Sequence, residues 1–348
     1  QSRSSAASDV YKRQDLSWAI AGRNKDKLKQ VKMELDLDCD MLIADANNYE
    51  ELRDIAKTTK VLLTTAGPYA KYGSFLMKAC VFENTHYVDI TGENHWVKKQ
   101  MDLYHEEAVA RGVRIIPSCG YDSLPSDLGT LFAINKMNKA VKKVEVFHSA
   151  FGGASGGTIE SIFTMGRLPK EMRDPFLLNP KGSVSELQRE SSKDSIKIKW
   201  IDEAKKWSGL GLFAVANTRV VRRSAALMEM SQKPYGANFT FKEHGAYSSK
   251  SAARLATFGL IAAFLIISTP LKHLVRRFLP KPGEGPSTEI QEKGWFKGVF
   301  IAEAEDGEKQ VSTIYGDGDP GYKSTSKMVC ESALTIALCN DLPGGENF

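Results

Sequence analysis

The chain has 348 residues, 42% hydrophobic and 26% charged, with 47 basic against 42 acidic side chains and a formal net charge of +5. Length and composition predict roughly two globular domains with sizeable cores, and the lack of any block of like charge excludes a nucleic-acid footprint. Five cysteines (Cys39, Cys80, Cys119, Cys330, Cys339) lie in apolar runs without paired spacing, and the six histidines are scattered. This predicts reduced thiols in an intracellular compartment and no metal site.

Residues 1–14 are rich in Ser and Arg and have no apolar period. They read as a targeting peptide or, better, as a lead-in that does not belong to the fold. From 15 to 138, short apolar runs alternate with helical periods. A strand over 18–21 precedes a helix over 25–35. A strand over 41–44 precedes a helix opening at Asn47, with Glu50 three residues on as a capping box. Next come a buried strand over 61–66, a helix over 73–82, a strand over 86–90 and a helix over 96–111 that stops at Gly112. A strand over 114–118 leads to Gly120, and a further helix starts near Ser126. This rhythm predicts the α/β class, a Rossmann-type doubly wound parallel sheet.

The pattern changes in 139–320, which reads as an inserted α+β domain. Residues 143–150 alternate as a half-exposed antiparallel strand does, with Val144 and Val146 against Glu145 and Phe147. A glycine-rich turn over 152–158 opens a helix, and 180–199 and 280–292 read as loops. Residues 297–304 and 310–315 resemble paired strands. In 321–348, an amphipathic helix over 322–339 is expected to return to the first domain. Residues 255–267 form the most apolar run, short of the ~20 residues needed to span a bilayer. Lys272, His273, Arg276 and Arg277 follow, with Leu271, Leu274 and Phe278. The run is open to three readings: a buried core helix, a membrane-interface segment or a span.

The candidate chemistry lies at strand ends. Arg23 and Asn24 end the first strand with no acid at its tip, which favours a 2′-phosphate and so NADP over NAD. Asp45 and Ala46 close the second strand, at an adenine contact or a helix N-cap. Thr65, Ala66 and Gly67 are small enough to let the backbone approach a cofactor, and Pro68 stiffens that loop. Tyr69 and Tyr72 bring phenols to the same end. After the strand at 114–118 come Gly120, for the cofactor, and Asp122, the acid best placed for proton transfer. Ser123, Ser126 and Asp127 read equally as helix caps, and Cys119 lacks a partner base. No glycine-rich dinucleotide fingerprint is present.

Several segments, taken in order, carry a family resemblance. They are Ala21–Asn24, Thr65–Tyr69 with Tyr72-Gly73, the run 87–93 (YVDITGE), the run 120–127 (GYDSLPSD), the run 157–161 (GTIES) and the run 318–322 (GDPGY). They resemble the saccharopine dehydrogenase-like oxidoreductases, which include trans-acting enoyl reductases and membrane- or lipid-droplet-associated proteins. The resemblance implies an NAD(P)-binding Rossmann domain with an inserted α+β domain. It departs at both ends, where the first strand with its glycine loop, and the family's continuation beyond Phe348, are missing.

The expectation is an NADP-dependent oxidoreductase acting on a lipid-linked or apolar substrate, enoyl-reductase-like. Tyr69 or Asp122 would supply a proton, and a homodimer is a further expectation. Two alternatives stand beside it. One is a non-catalytic NAD(P)-binding protein held at membranes or lipid droplets through 255–277. The other is a saccharopine-type amino-acid dehydrogenase, for which no matched set of arginines stands out.

Overall fold

The structure, a computed structural model, describes residues 16–153, 156–165, 170–194, 196–280, 284–339 and 342. The expected lead-in at 1–14 lies outside them, as does most of the expected terminal loop. The chain divides into two units: 1–91 with 99–120 and 322–348, and 92–98 with 121–321.

The chain opens with β1 (Ala19–Gly22), α1 (Lys25–Glu34), β2 (Asp40–Ile43), α2 (Tyr49–Lys57), β3 (Val61–Thr64), α3 (Tyr69–Phe82), β4 (His86–Asp89), α4 (Asn94–Ala110) and β5 (Ile115–Ile116). Next come α5 (Leu124–Met137), β6 (Val141–Phe151), α6 (Gly156–Met165), α7 (Glu186–Ser191), β7 (Trp200–Ile201) and β8 (Lys206–Gly209). They are followed by α8 (Ala214–Met230), β9 (Thr240–Tyr247), α9 (Lys250–Ile267), α10 (Lys272–Val275), α11 (Thr288–Lys293), β10 (Trp295–Ala304) and β11 (Lys309–Asp317). The last helix, α12 (Thr325–Leu338), belongs to the first unit.

The described strand pairs of the first unit are all parallel, as βαβ connections require: β1 with β2, and β3 with β4 with β5. The two groups are separate sheets. A doubly wound order would set one more parallel strand between β1 and β3. That strand and its glycine turn are not among the described residues. Val88, Cys119, Val329 and Ile336 form a core that joins β4 to α12, the return expected of the terminal helix.

Two local expectations shift. The capping pair of α2 is Asn48 with Glu51, one residue beyond Asn47 and Glu50. Asn48 Oδ1 accepts from the Glu51 N–H at 3.4 Å, and Asn48 Nδ2 donates to Glu51 Oε1 at 2.8 Å. Asn47 is instead held by Asp45, whose Oδ1 accepts from its backbone N–H and its side-chain amide, each at 2.8 Å. α3 begins at Tyr69 rather than 73, because Pro68 stands just before its first turn, where a missing N–H costs nothing.

The second unit is a six-stranded sheet ordered β11-β10-β6-β9-β8-β7. β6 is antiparallel to β10, as its alternation predicts, but parallel to β9 on its other edge, so it is an interior strand. The expected boundary at 138 is corrected, because α5 belongs to this second unit. Ala133, Ile134 and Met137 of α5 share a core with Val144, Val146, Phe241 and Phe300. A Cβ on Gly129 would lie 2.2 Å from Phe300 Cζ, so only glycine lets this helix sit so close to the sheet. The stretches read as loops at 180–199 and 280–292 each hold a short helix, α7 and α11, capped by Ser185 and Ser287.

The buried-core reading of 255–267 is also corrected. Of α9 only Ala253 and Thr257 are buried, while Leu255 is 78% and Leu265 65% exposed. Thr257 Oγ1 accepts from the Leu210 N–H, anchoring the helix near its middle. Beyond that point Phe258, Phe264, Leu265 and Ile266 are exposed, while Leu260, Ile261 and Ile267 are half-buried. By length and composition α9 is long and apolar enough to cross a membrane.

Candidate functional site

In the first unit, the expected cofactor residues sit at the carboxyl ends of parallel strands, where open α/β sheets bind ligands. Arg23 is exposed directly after β1, and Asn24 is the N-cap of α1, its Oδ1 accepting from the Lys27 N–H at 3.0 Å. Asn24 therefore has a structural task already. Asp45 is held below the usual carboxylate range by the Asn47 N–H and the Asn47 amide, with a smaller contribution from the charge of Arg23. Ala46 lies within the same turn. After β3, Thr65, Ala66 and Gly67 are exposed, as a backbone surface open to a ligand must be, whereas Pro68 and Tyr69 are buried.

Tyr69 is 4% exposed, and its hydroxyl donates to the Thr64 carbonyl at 3.1 Å while accepting from the Ile90 N–H at 3.4 Å. It ties the end of β3 to the end of β4. Asp89 makes a similar tie between β4 and the turn after β5. Its Oδ1 accepts from the Thr91 and Ser118 N–H groups at 2.9 Å each, and its Oδ2 accepts from the Tyr87 hydroxyl at 2.8 Å. Ser118, at a φ of +64°, is held there by these bonds and by its own hydroxyl on the Thr91 carbonyl. Gly120 answers a packing demand: a Cβ there would be 3.3 Å from both Ile90 Cβ and Thr325 Cγ2. The Cys119 thiol is buried and donates to the Ile116 carbonyl.

The residues present thus fit the adenosine end of a dinucleotide. An exposed guanidinium with no hydrogen bond among the described residues follows β1, and an open small-residue turn follows β3. The turn that would hold the pyrophosphate is not among the described residues.

The second unit contains a polar cluster within its core. On β6 the residues facing α5 and α8 run Val144, Val146, His148, and on β9 they run Phe241, Glu243, so period-two alternation turns an apolar face polar at one end. Ser126 Oγ lies 2.7 Å from Glu243 Oε2 and 2.9 Å from His148 Nε2. Asn217 Nδ2 donates to Glu243 Oε1 at 2.8 Å, and Ser123 Oγ donates to Asn217 Oδ1 at 3.1 Å, which orients the amide. The ring of Tyr121 packs against His148, Phe213 and Phe296. His148 is also edge-on to Phe300.

Burial sets the electrostatics here. It pushes the Glu243 carboxyl up to about 7, against the bonds from Ser126 and Asn217, and the charge of Asp122 adds to the rise. Burial alone raises Asp122 to about 7 and lowers His148 to about 4. Asp127 rises to about 6 by burial, opposed by the Ser224 hydroxyl on its Oδ2. The Tyr121 phenol is pushed well up by burial and by Glu243 and Asp122. Near neutrality Glu243 and Asp122 are therefore about half-protonated beside a neutral imidazole, a source of transferable protons.

Of the acids expected from sequence, Asp122 joins this cluster and Tyr69 does not. Glu243, His148, Ser126 in this role, and Asn217 are not among the sequence expectations. The available signal is a Glu at an inward position of a strand, between Phe241 and Gly245.

A parallel-stranded nucleotide-binding unit joined in one chain to a sheet domain with buried acids defines a Rossmann-type oxidoreductase. Residues 4–116 match the family model for the saccharopine dehydrogenase NADP-binding domain. A trans-acting enoyl reductase of Mycobacterium tuberculosis (strain ATCC 25618 / H37Rv) is 32% identical over 93% of this chain and 83% of its own length. That of Mycobacterium ulcerans (strain Agy99) is 30% identical over the same shares. The apo saccharopine dehydrogenase (L-Glu forming) of Saccharomyces cerevisiae shares the fold. Its TM-score is 0.52 at 11% identity, covering 96% of this chain and 88% of that one. The chain belongs to the saccharopine dehydrogenase-like oxidoreductase family, and its cofactor is NADP.

Proposed function

We propose that the chain reduces the carbon–carbon double bond of an apolar or lipid-linked 2-enoyl thioester with NADPH. The observation that carries this reading is the pair of carboxyls, Asp122 and Glu243, raised by burial so that each still carries a proton about half the time near neutrality, in a unit joined to an NADP-binding one. Reduction of a polarised double bond consumes one hydride and one proton, and when bound NADPH supplies the hydride. Arg23 would hold the 2′-phosphate, and Thr65, Ala66 and Gly67 would offer backbone to the cofactor. The relatives named enoyl reductases, similar over nearly the whole chain, support the same choice.

The amino-acid dehydrogenase reading has less support. Its dicarboxylic substrate needs free guanidiniums, whereas the buried Arg219 and Arg222 are committed. Arg219 bonds Asp194 and the Met172 carbonyl. Arg222 bonds the Pro175, Ser192 and Phe241 carbonyls. The deciding experiment is NADPH oxidation with a panel of 2-enoyl thioesters, beside saccharopine-type substrates. Oxidation with the thioesters alone supports the proposal, and oxidation with the amino acids alone replaces it.

The same reading places the protein at a lipid surface, the natural source of an apolar substrate. Residues 250–278 hold five basic and no acidic side chains. Around the open half of α9, Phe258, Leu265, Leu271, Leu274 and Phe278 are all more than half exposed. An apolar helix flanked by cations suits the interface of an anionic bilayer or droplet.

A further inference from the structure

We propose that Glu243, Ser126 and His148 form a proton relay that ends at His148 Nδ1 and delivers the proton completing reduction of the substrate double bond. The delivery step rests on the reductase reading; the relay itself rests on geometry. Ser126 Oγ is within hydrogen-bond distance of both neighbours, 2.7 Å from Glu243 Oε2 and 2.9 Å from His148 Nε2, while those two are 3.9 Å apart. The hydroxyl is therefore the bridge. At the far end His148 Nδ1 is shielded from solvent and has no hydrogen-bond partner among the described residues. A buried ring nitrogen left unpaired is costly, and a substrate that accepts its proton would satisfy it. Glycines flank His148 on both neighbouring strands, Gly245 on β9 and Gly298 on β10, so no side chain from either partner position crowds the ring.

The groups facing the relay are few. Asp122 and Tyr121 come from the turn before α5 and Asn217 from α8. β10 presents Phe296 and Phe300. Asp127, next along α5, bonds Ser224 instead.

With the β-carbon hydrogenated, the former π pair sits on the α-carbon as an enolate. The α-carbon takes the proton from His148 Nδ1, and Nε2 takes the proton of the Ser126 hydroxyl. Ser126 in turn takes the proton of the Glu243 carboxyl. Glu243 is left as a carboxylate that accepts from Ser126 and from Asn217 Nδ2. The relay resets once product leaves, when Nδ1 takes a proton from water and the protons run back from Nε2 to Ser126 and from Ser126 to Glu243. His148 stays neutral throughout and only changes tautomer, which suits an imidazole that burial keeps uncharged.

The test uses the chain labelled with 15N-histidine and two variants, Ser126→Ala and Ser126→Thr. The expected spectra show His148 as the Nδ1–H tautomer near pH 6, passing to the Nε2–H tautomer as Glu243 ionises around pH 7. The switch is lost in Ser126→Ala and kept in Ser126→Thr. With NADPH and a 2-enoyl thioester of coenzyme A, kcat falls about a hundredfold in Ser126→Ala, recovers in Ser126→Thr, and the KM for NADPH is unchanged. Turnover in which the tautomer ignores Glu243, or in which Ser126→Ala matches the parent, overturns the relay and leaves the reductase reading intact. Absence of turnover on every thioester, with the tautomer switch present, overturns the delivery step together with that reading.

Discussion

Ser126 Oγ and Glu243 Oε2 are hydrogen-bonded across 2.7 Å within the core of the second unit, the hydroxyl donating when the carboxyl is ionised and accepting when it is protonated. The bond lowers the carboxyl's affinity for its own proton, yet burial outweighs it and the acid stays half-protonated near pH 7. A carboxyl whose folded value is raised contributes stability that is fully present below its ordinary value. That stability is lost as pH rises through the folded value. Glu243 and Asp122, both raised to about 7, and Asp127, raised to about 6, all act in this direction. His148, lowered to about 4, acts oppositely: its share is present above its ordinary value and is lost as pH falls through 4. The difference between the parent and Glu243→Gln removes the histidine contribution. Urea midpoints from about pH 5 to 8 should show the variant losing less stability than the parent as pH rises. Parallel profiles would contradict the assignment.

Arg219 is fully buried and meets both oxygens of Asp194 at 2.9 Å. Removing one partner of such a pair costs about 3–5 kcal/mol when both are buried. Asp194 is 41% exposed, so Asp194→Ala should cost nearer ~1–2 kcal/mol after solvent screening. Arg219→Ala should cost more, because the Met172 carbonyl also loses its donor. Chemical denaturation reads both, and hydrogen exchange in the second unit should rise first around Met172 and Asp194.

Arg23 stands exposed after β1 with no hydrogen bond to any described residue. As the partner of a 2′-phosphate, its charge-assisted bonds are worth about 1.5–3 kcal/mol. Arg23→Ala should therefore weaken NADPH binding at least about tenfold and leave NADH binding unchanged. Fluorescence titration with both nucleotides measures this. An equal loss for both would remove Arg23 from the phosphate site.

At the open end of α9, Phe258 and Leu265 are 61% and 65% exposed. The double substitution Phe258→Asp, Leu265→Asp should abolish co-sedimentation with phosphatidylserine vesicles without lowering the thermal midpoint, since neither side chain is in the core. Unchanged sedimentation, or binding equally strong to neutral vesicles, would count against the lipid surface.

The parallel-stranded half is legible in the sequence because strand and helix periods alternate there without interruption. The capping error of one position comes from adjacent asparagines, Asn47 and Asn48. Much of the second unit is hidden by charge. α8 escapes a reading by period because Arg219 and Arg222 occupy its buried face, where apolar residues are expected. β9 escapes it because Lys242, Glu243 and His244 interrupt its apolar alternation. Glu243 and His148 meet only because β9 pairs in parallel with β6, a register that no local pattern announces. Asp122 is legible because it follows a strand end directly.

The fate of the two hydrogens added to the substrate tests most directly whether the chain is an NADPH-dependent enoyl reductase. NADPH deuterated at C4 of the nicotinamide, incubated with the chain and a 2-enoyl thioester in ordinary water, should place one deuterium in the saturated product. Ordinary NADPH in deuterium oxide should place one at the neighbouring carbon. Product carrying no deuterium from the nucleotide, or no saturated product at all, would contradict that activity.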